Sequence, residues 1–217
     1  MHSELVIVAA PQRHPRIEHC GGIAARVTGI DTVHLVSAAA TPIGGDIIRI
    51  RIVVEAGAAL RLRTVAATVA LPGRESRESR AHWDLDVVGA LDVDPEPTIV
   101  AADARHVNVT TVALAETGRI VLRERVQIGR SGERQGFWSG TMHAEVGEQP
   151  LLRHRVELGA DSVAADVLGS PLAYVGEFRY PEGDITSAGL VLPLAAGGCI
   201  STWQGQRLIC GDTRSPR

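Results

Sequence analysis

The chain has 217 residues, 45% of them hydrophobic, with a formal net charge of −3: ample material for a core, and no charge excess of the kind that marks a nucleic-acid surface. All 22 basic residues are Arg, and no basic stripe is interleaved with stacking aromatics, which excludes the usual polyanion-binding pattern. Aromatic residues are only 3%, so Val, Ile, Leu and Ala must fill the interior, and their β-branched members favour strands.

From the N-terminus, the apolar run near residues 4–9 has no basic segment before it and is too short for a signal core or a membrane span. It reads as a strand. Cys20, with Cys199 and Cys210 far downstream, gives an odd count and no C-x-x-C, which argues against a disulfide framework and for a reducing, cytoplasmic setting. His14, His19 and Cys20 make at most a thin metal cluster; packing or solvent is the plainer reading for such residues. A strand is expected at 32–37. The turn Gly44-Gly45-Asp46 then leads into Ile48-Arg49-Ile50-Arg51-Ile52, where every second residue is apolar. A turn at Gly57 precedes Leu60-Arg61-Leu62-Arg63, and Trp83, Leu85 and Val87 alternate with polar neighbours. Further strands are predicted at 98–101, 105–114, 119–128, 141–146 and 150–158, separated by turns rich in Gly, Pro and Asp. One short helix is expected from Asp161 to Leu168, capped by Asp161-Ser162, and residues 181–190 read as a loop or minor helix. Gly211 to Arg217 reads as a frayed tail of a single domain over residues 1–217. Strands recurring every ten to fifteen residues without intervening amphipathic helices predict an all-β fold rather than βαβ units.

Catalytic machinery is not visible. Gly129-Arg130-Ser131-Gly132-Glu133 misses G-x-S-x-G at its fifth residue. No phosphate loop or dinucleotide fingerprint occurs, and H-E-x-x-H is missing. Two polar residues stand out by position instead. In Leu122-Arg123-Glu124-Arg125-Val126-Gln127-Ile128, Glu124 shares the apolar face. In Leu152-Arg153-His154-Arg155-Val156-Glu157-Leu158, so does His154. An inward carboxylate and imidazole are costly unless paired, hydrated or metal-bound. Either each meets a local Arg or backbone group, or the two line an internal polar path whose ligands suit a divalent ion.

Thr41-Pro42-Ile43-Gly44-Gly45-Asp46, Glu55-Ala56-Gly57-Ala58 and Leu62-Arg63-Thr64-Val65-Ala66-Ala67-Thr68 follow one another in a fixed order. Glu124-Arg125-Val126-Gln127-Ile128-Gly129-Arg130, Gly136-Phe137-Trp138-Ser139-Gly140 and Pro150-Leu151-Leu152-Arg153-His154-Arg155 come later. In order and spacing, from about residue 31 to about 160, these blocks resemble the UreD (UreH) family of urease accessory proteins. The chain departs from the family pattern at Asp94-Pro95-Glu96-Pro97, at His154, and in a shorter C-terminal part. The resemblance implies a β-helix-like stack of sheets with one or two short helices, and a scaffold that does no chemistry alone. It implies binding to urease apoprotein and to UreF, which recruits the GTPase UreG, in support of nickel insertion. It implies no membrane or nucleic-acid partner, no tightly bound cofactor, and transient Ni2+ as cargo. Asp46, Glu124, His154 and Glu96 are then the candidate polar groups of a nickel path, and Gly44, Gly45, Gly57, Gly129 and Arg130 its structural motif. The competing expectations are a stand-alone β-helical carbohydrate-active enzyme, which needs aromatic platforms and paired carboxylates, and a simple metal-binding protein. A scaffold with large partner surfaces is also expected to be poorly soluble without UreF.

Overall fold

The computed structural model describes residues 1–163, 169–185 and 189–208. The chain enters through a hairpin of β1 (His2–Ala9) and β2 (Arg16–Cys20), and a second of β3 (Ile23–Val27) and β4 (Thr32–Ser37). It then winds in coils. The first is β5 (Ile47–Val54), β6 (Ala59–Thr64) and β7 (Thr68–Ala70); the second is β8 (Glu78–Val87), β9 (Ala90–Asp94) and β10 (Thr98–Val100). A third begins with β11 (Arg105–Leu114) and β12 (Arg119–Ile128). The chain closes with β13 (Phe137–Val146) and β14 (Gln149–Gly159), then β15 (Ala173–Tyr180), β16 (Leu190–Pro193) and β17 (Cys199–Gly205).

Two sheets face each other across the interior. One has seven strands in the order β14-β13-β11-β8-β5-β1-β2; the other has ten, with β16-β17-β15-β12-β9-β6-β4-β3 as its main path. The coil strands β5, β8, β11 and β13 stack in parallel on one side, and β6, β9 and β12 do so on the other. This is a flattened β-solenoid, the all-β, stacked-sheet architecture that the alternation and the family resemblance predicted. Parallel stacking puts like residues in rows, so Ile52, Leu85, Val112 and Ala144 align across four strands. All four are buried, as are Leu62, Val93 and Leu122 in the opposite sheet. Each such aliphatic side chain contributes about 1.5–3 kcal/mol when taken out of water. A core so poor in aromatic residues is therefore sufficient.

No helix occurs among the described residues. Five residues of the helix expected at 161–168, namely 164–168, lie outside them, and so do 186–188 of the expected loop and the tail from 209 onwards. Residue 190 opens a strand rather than ending a loop. That strand, β16, is the open edge of its sheet, and Leu190, Val191 and Leu192 are all exposed on it.

The motif glycines occupy the turns. Gly44 has an ordinary φ, and its constraint is space: a Cβ there would lie 1.9 Å from the Ser76 carbonyl oxygen. Gly45 and Gly57 have positive φ. Gly129 combines both demands, with φ +82 and the Glu133 carbonyl oxygen 2.1 Å from a Cβ position. Arg130 is exposed and pairs with Glu133, whose carboxylate also accepts the Ala102 and Arg130 amides at 2.9 and 3.0 Å. The Arg130 hydrogen bonds hold the Glu133 carboxyl at about 2. The near-miss residue of the hydrolase motif is thus the clasp of this loop.

The outer face of the ten-stranded sheet carries a ladder of charges. Arg63 reaches Asp92 (3.0 Å), and Arg123 reaches Asp92 (3.2 Å) and Glu177 (3.3 Å). Arg179 closes on Glu177 (2.8 Å), and Arg125 pairs with Asp94. Glu177 is fully buried at the centre of these pairs.

Candidate functional site

The inward face changes character near one end of the solenoid. On β12, Leu122 belongs to a large aliphatic cluster and Val126 to a smaller one with Trp138, Leu158 and Tyr174. Glu124 lies between them. On β14, Leu152 packs on the large cluster and Val156 in the small one, and His154 lies between. On β11 the intervening inward residues are Thr110, which is buried, and Asn108, which is half-buried. On β13 and β15 they include Gly140 and Gly176. A polar seam thus crosses the interior, one residue or two per strand.

The seam encloses a cavity of about 10 Å³, close to the room one water needs. Thr110, Glu124, Met142, His154 and Tyr174 are among its lining residues. Its small size has a local cause. A Cβ at Gly140 would lie 2.2 Å from the Trp138 ring, so the glycine lets the indole fold back over its own strand. Trp138 stacks on Tyr174 with ring centroids 5.5 Å apart, forming an apolar wall on one side of the seam.

Asn108 Nδ2 donates to Glu124 Oε1 at 2.6 Å. Glu124 as a residue is only half-buried, but its carboxyl is enclosed; burial raises its pKa to about 7, with the Asn108 hydrogen bond opposing the rise. Burial also lowers the His154 pKa and raises that of Tyr174, which feels the Glu124 charge besides. His154 Nε2 and Asn108 Oδ1 are buried without a hydrogen-bond partner. Among the cavity-lining residues, the His154 imidazole, the Glu124 carboxylate and the Thr110 and Tyr174 hydroxyls are donor types suited to a borderline divalent cation. Among the described residues no three or more of His, Cys, Asp and Glu gather into a group that could hold a metal.

The other two sequence candidates do not line this cavity. Asp46 is buried but spent on its own turn: it accepts the Met1 ammonium (2.7 Å), the Thr41 hydroxyl (2.8 Å) and the Ile43 amide (2.9 Å). Burial, the largest single effect, would raise its pKa, but the hydrogen bonds from Met1, Ile43 and Thr41 and the Met1 charge together outweigh it and hold the carboxyl below the usual carboxylate range. Glu96 is exposed on the turn between β9 and β10. His14, His19 and Cys20 are all exposed as well. Sequence reasoning missed Asn108, Thr110 and Tyr174. Parity along β11 does place Asn108 and Thr110 on the Val112 face, and that was the available signal.

A family model described as UreD urease accessory protein matches residues 23–179. The urease accessory protein UreD 1 of Saccharopolyspora erythraea is 37% identical over 190 residues, covering 83% of this chain and 74% of that protein. The urease accessory protein UreD of Frankia alni is 43% identical over 150 residues, or 68% of this chain and 47% of its own. The corresponding protein of Frankia casuarinae is 44% identical over 142 residues, or 60% and 44%. The chain thus spans about three quarters of the first of these relatives and less than half of the other two.

Proposed function

Because this chain belongs to the UreD family of urease accessory proteins, we propose that it works as a scaffold in urease maturation and passes nickel along its interior seam. In this reading it binds urease apoprotein and UreF, and through UreF the GTPase UreG. GTP hydrolysis belongs to that partner, and this chain supplies no chemistry of its own. The setting is the cytoplasm, in keeping with the free thiols of Cys20 and Cys199. No helix among the described residues is long and apolar enough to cross a membrane.

The observation that carries the reading is the cavity shared by Glu124 and His154 beside the large, mainly aliphatic cluster of the solenoid. Nickel is the cargo. Glu124 supplies a carboxylate that gains its charge readily as a cation arrives, and His154 supplies an unpartnered nitrogen. Weak, successive ligands let an ion leave as well as enter. A carbohydrate-active enzyme is disfavoured, since every Trp, Tyr and Phe among the described residues is buried or half-buried, leaving no open sugar platform.

The test is co-expression with the urease subunits and the remaining accessory proteins. Glu124→Ala and His154→Ala together are expected to lower nickel content and activity of urease about tenfold, the scale seen when metal-supporting side chains are removed. Co-purification with urease should persist. Full activation by the double variant would show that nickel does not use this seam.

A further inference from the structure

The outer face of the seven-stranded sheet holds a trough of about 410 Å³, in the size range of binding pockets. Its floor is β11 and β13, whose outward residues here are short: Val107 and Val109 lie beside Ser139 and Thr141. Longer side chains stand on both sides, Arg80 and His82 on β8 and Arg155 and Glu157 on β14. Ser139 is therefore buried although it faces outward. Arg105 closes one end, with its guanidinium carbon 3.9 Å above the centre of the Phe137 ring. The stretch from Arg105 to Val109 spans about 13 Å, the reach of roughly four residues of extended chain. The charges around the trough are unequally spent. Arg80 holds Glu78 at 2.6 Å, and Arg155 holds Glu157. Arg105 is different: among the described residues its guanidinium makes no hydrogen bond, only looser ion pairs to Glu78 (4.0 Å) and Asp161 (3.8 Å). The Asp161 side chain is 85% exposed, so water screens that pair. A guanidinium laid flat on a ring with its N–H groups free is set to take a carboxylate on two parallel hydrogen bonds.

Resting on the reading of the chain as a scaffold for urease maturation, we propose that this trough docks an extended, aliphatic segment of a partner protein, with Arg105 taking a carboxylate of that segment. Val107 and Val109 receive its apolar side chains, and Asp161 is the loose counter-ion that the carboxylate displaces. Charge complementarity selects this occupant: Glu78 and Glu157 already have their own Arg partners, and Arg105 is the cation left to spend. The trough lies on the opposite side of the sheet from the seam, so docking here does not involve Glu124 or His154.

The experiment purifies the full chain from cells co-expressing the urease subunits and the remaining accessory proteins, and reads the amount of each partner recovered per chain. Arg105→Gln should recover about tenfold less of one of these partners, the scale of a lost hydrogen bond to a charged group. Arg105→Lys keeps the charge without the fork and should fall between the two. Asp161→Asn removes the competing carboxylate and should recover at least as much as the unaltered chain. Equal recovery of every partner by Arg105→Gln overturns the proposal. So does a loss with Asp161→Asn that matches the loss with Arg105→Gln, because the two residues would then serve only each other. Should Arg105→Gln fail to fold, Val109→Gln raises the trough floor without touching Arg105. It should weaken recovery of one partner by a similar factor, and normal recovery there overturns the proposal. If the unaltered chain itself recovers neither urease nor any accessory protein, the scaffold reading fails and the docking site falls with it.

Discussion

His106 and Glu124 are enclosed titratable side chains on facing sheets, and they respond to pH with opposite sign. His106 is buried, with Nδ1 2.9 Å from Ser79 Oγ, and burial lowers its pKa to about 4. As pH falls from 6.5, the unfolded chain takes up this proton before the folded one does, so folding loses stability down to about pH 4, by an amount on the order of 3 kcal/mol. Glu124 behaves the other way. Its folded pKa of about 7 lies above the 4.5 of a free glutamate, so the folded state holds the proton longer and stability falls as pH rises between those values. Half-burial of the residue reduces that cost to roughly 1–3 kcal/mol. The two effects oppose each other in one pH window, and the unaltered chain shows only their difference. Urea unfolding of single variants should separate them. Glu124→Gln, which can still accept from Asn108, should match the unaltered chain below pH 4.5 and exceed it in stability above pH 7. His106→Gln should flatten the loss between pH 6.5 and 4. Parallel curves for all three chains would mean that neither group changes its proton affinity on folding.

At the level of strands, the charge ladder outside the ten-stranded sheet shows what one Arg can support. Arg123 touches Asp92, Asp94 and Glu177, and Glu177 is fully buried. Loss of Arg123 takes one charged partner from the buried Glu177 but leaves Arg179 at 2.8 Å, so the cost is that of a hydrogen bond to a charged group, about 1.5–3 kcal/mol. Arg123→Met, which keeps the aliphatic stem, should lower unfolding free energy by that amount, and a loss under about 1 kcal/mol would place the ladder among ordinary surface pairs. The ladder also explains where alternation stopped being readable. On β11 and β12 one face is aliphatic and the other wet, so period two marks both strands and their ends, and it places Glu124 on the inward side. On β15 the outer face is covered as well, by the Arg123–Glu177–Arg179 pairs, and its burial pattern loses the period. On β16 every residue is exposed, and no period exists to find. Asp46 and Glu96 were singled out by family pattern rather than by parity. The turn consumes the first, and Pro95 and Pro97 beside the second leave it on an exposed turn. Thr110 and Tyr174 join the cavity, and Asn108 meets Glu124, through cross-strand register, which a single sequence does not contain.

Across the whole molecule, rows of like residues make each coil depend chiefly on its neighbours, as in other solenoids. The polar seam is itself one such row, lying between two apolar clusters: the large aliphatic cluster ends at Leu122 and Phe178, and a smaller one begins at Val126 and Tyr174. The buried apolar residues fall into two separate clusters on either side of it, so the protein carries a fault line along its grain, and the smaller side should loosen before the larger side does. Native-state hydrogen exchange would record this as two tiers along single strands, with the amides of Val126 and Leu158 opening at lower free energy than those of Leu122 and Leu91. Equal protection from one end of β12 to the other would mean that the interior yields as one block. Were an ion to pass along the seam as proposed, such a line of weakness would confine the strain of its passage to the smaller side.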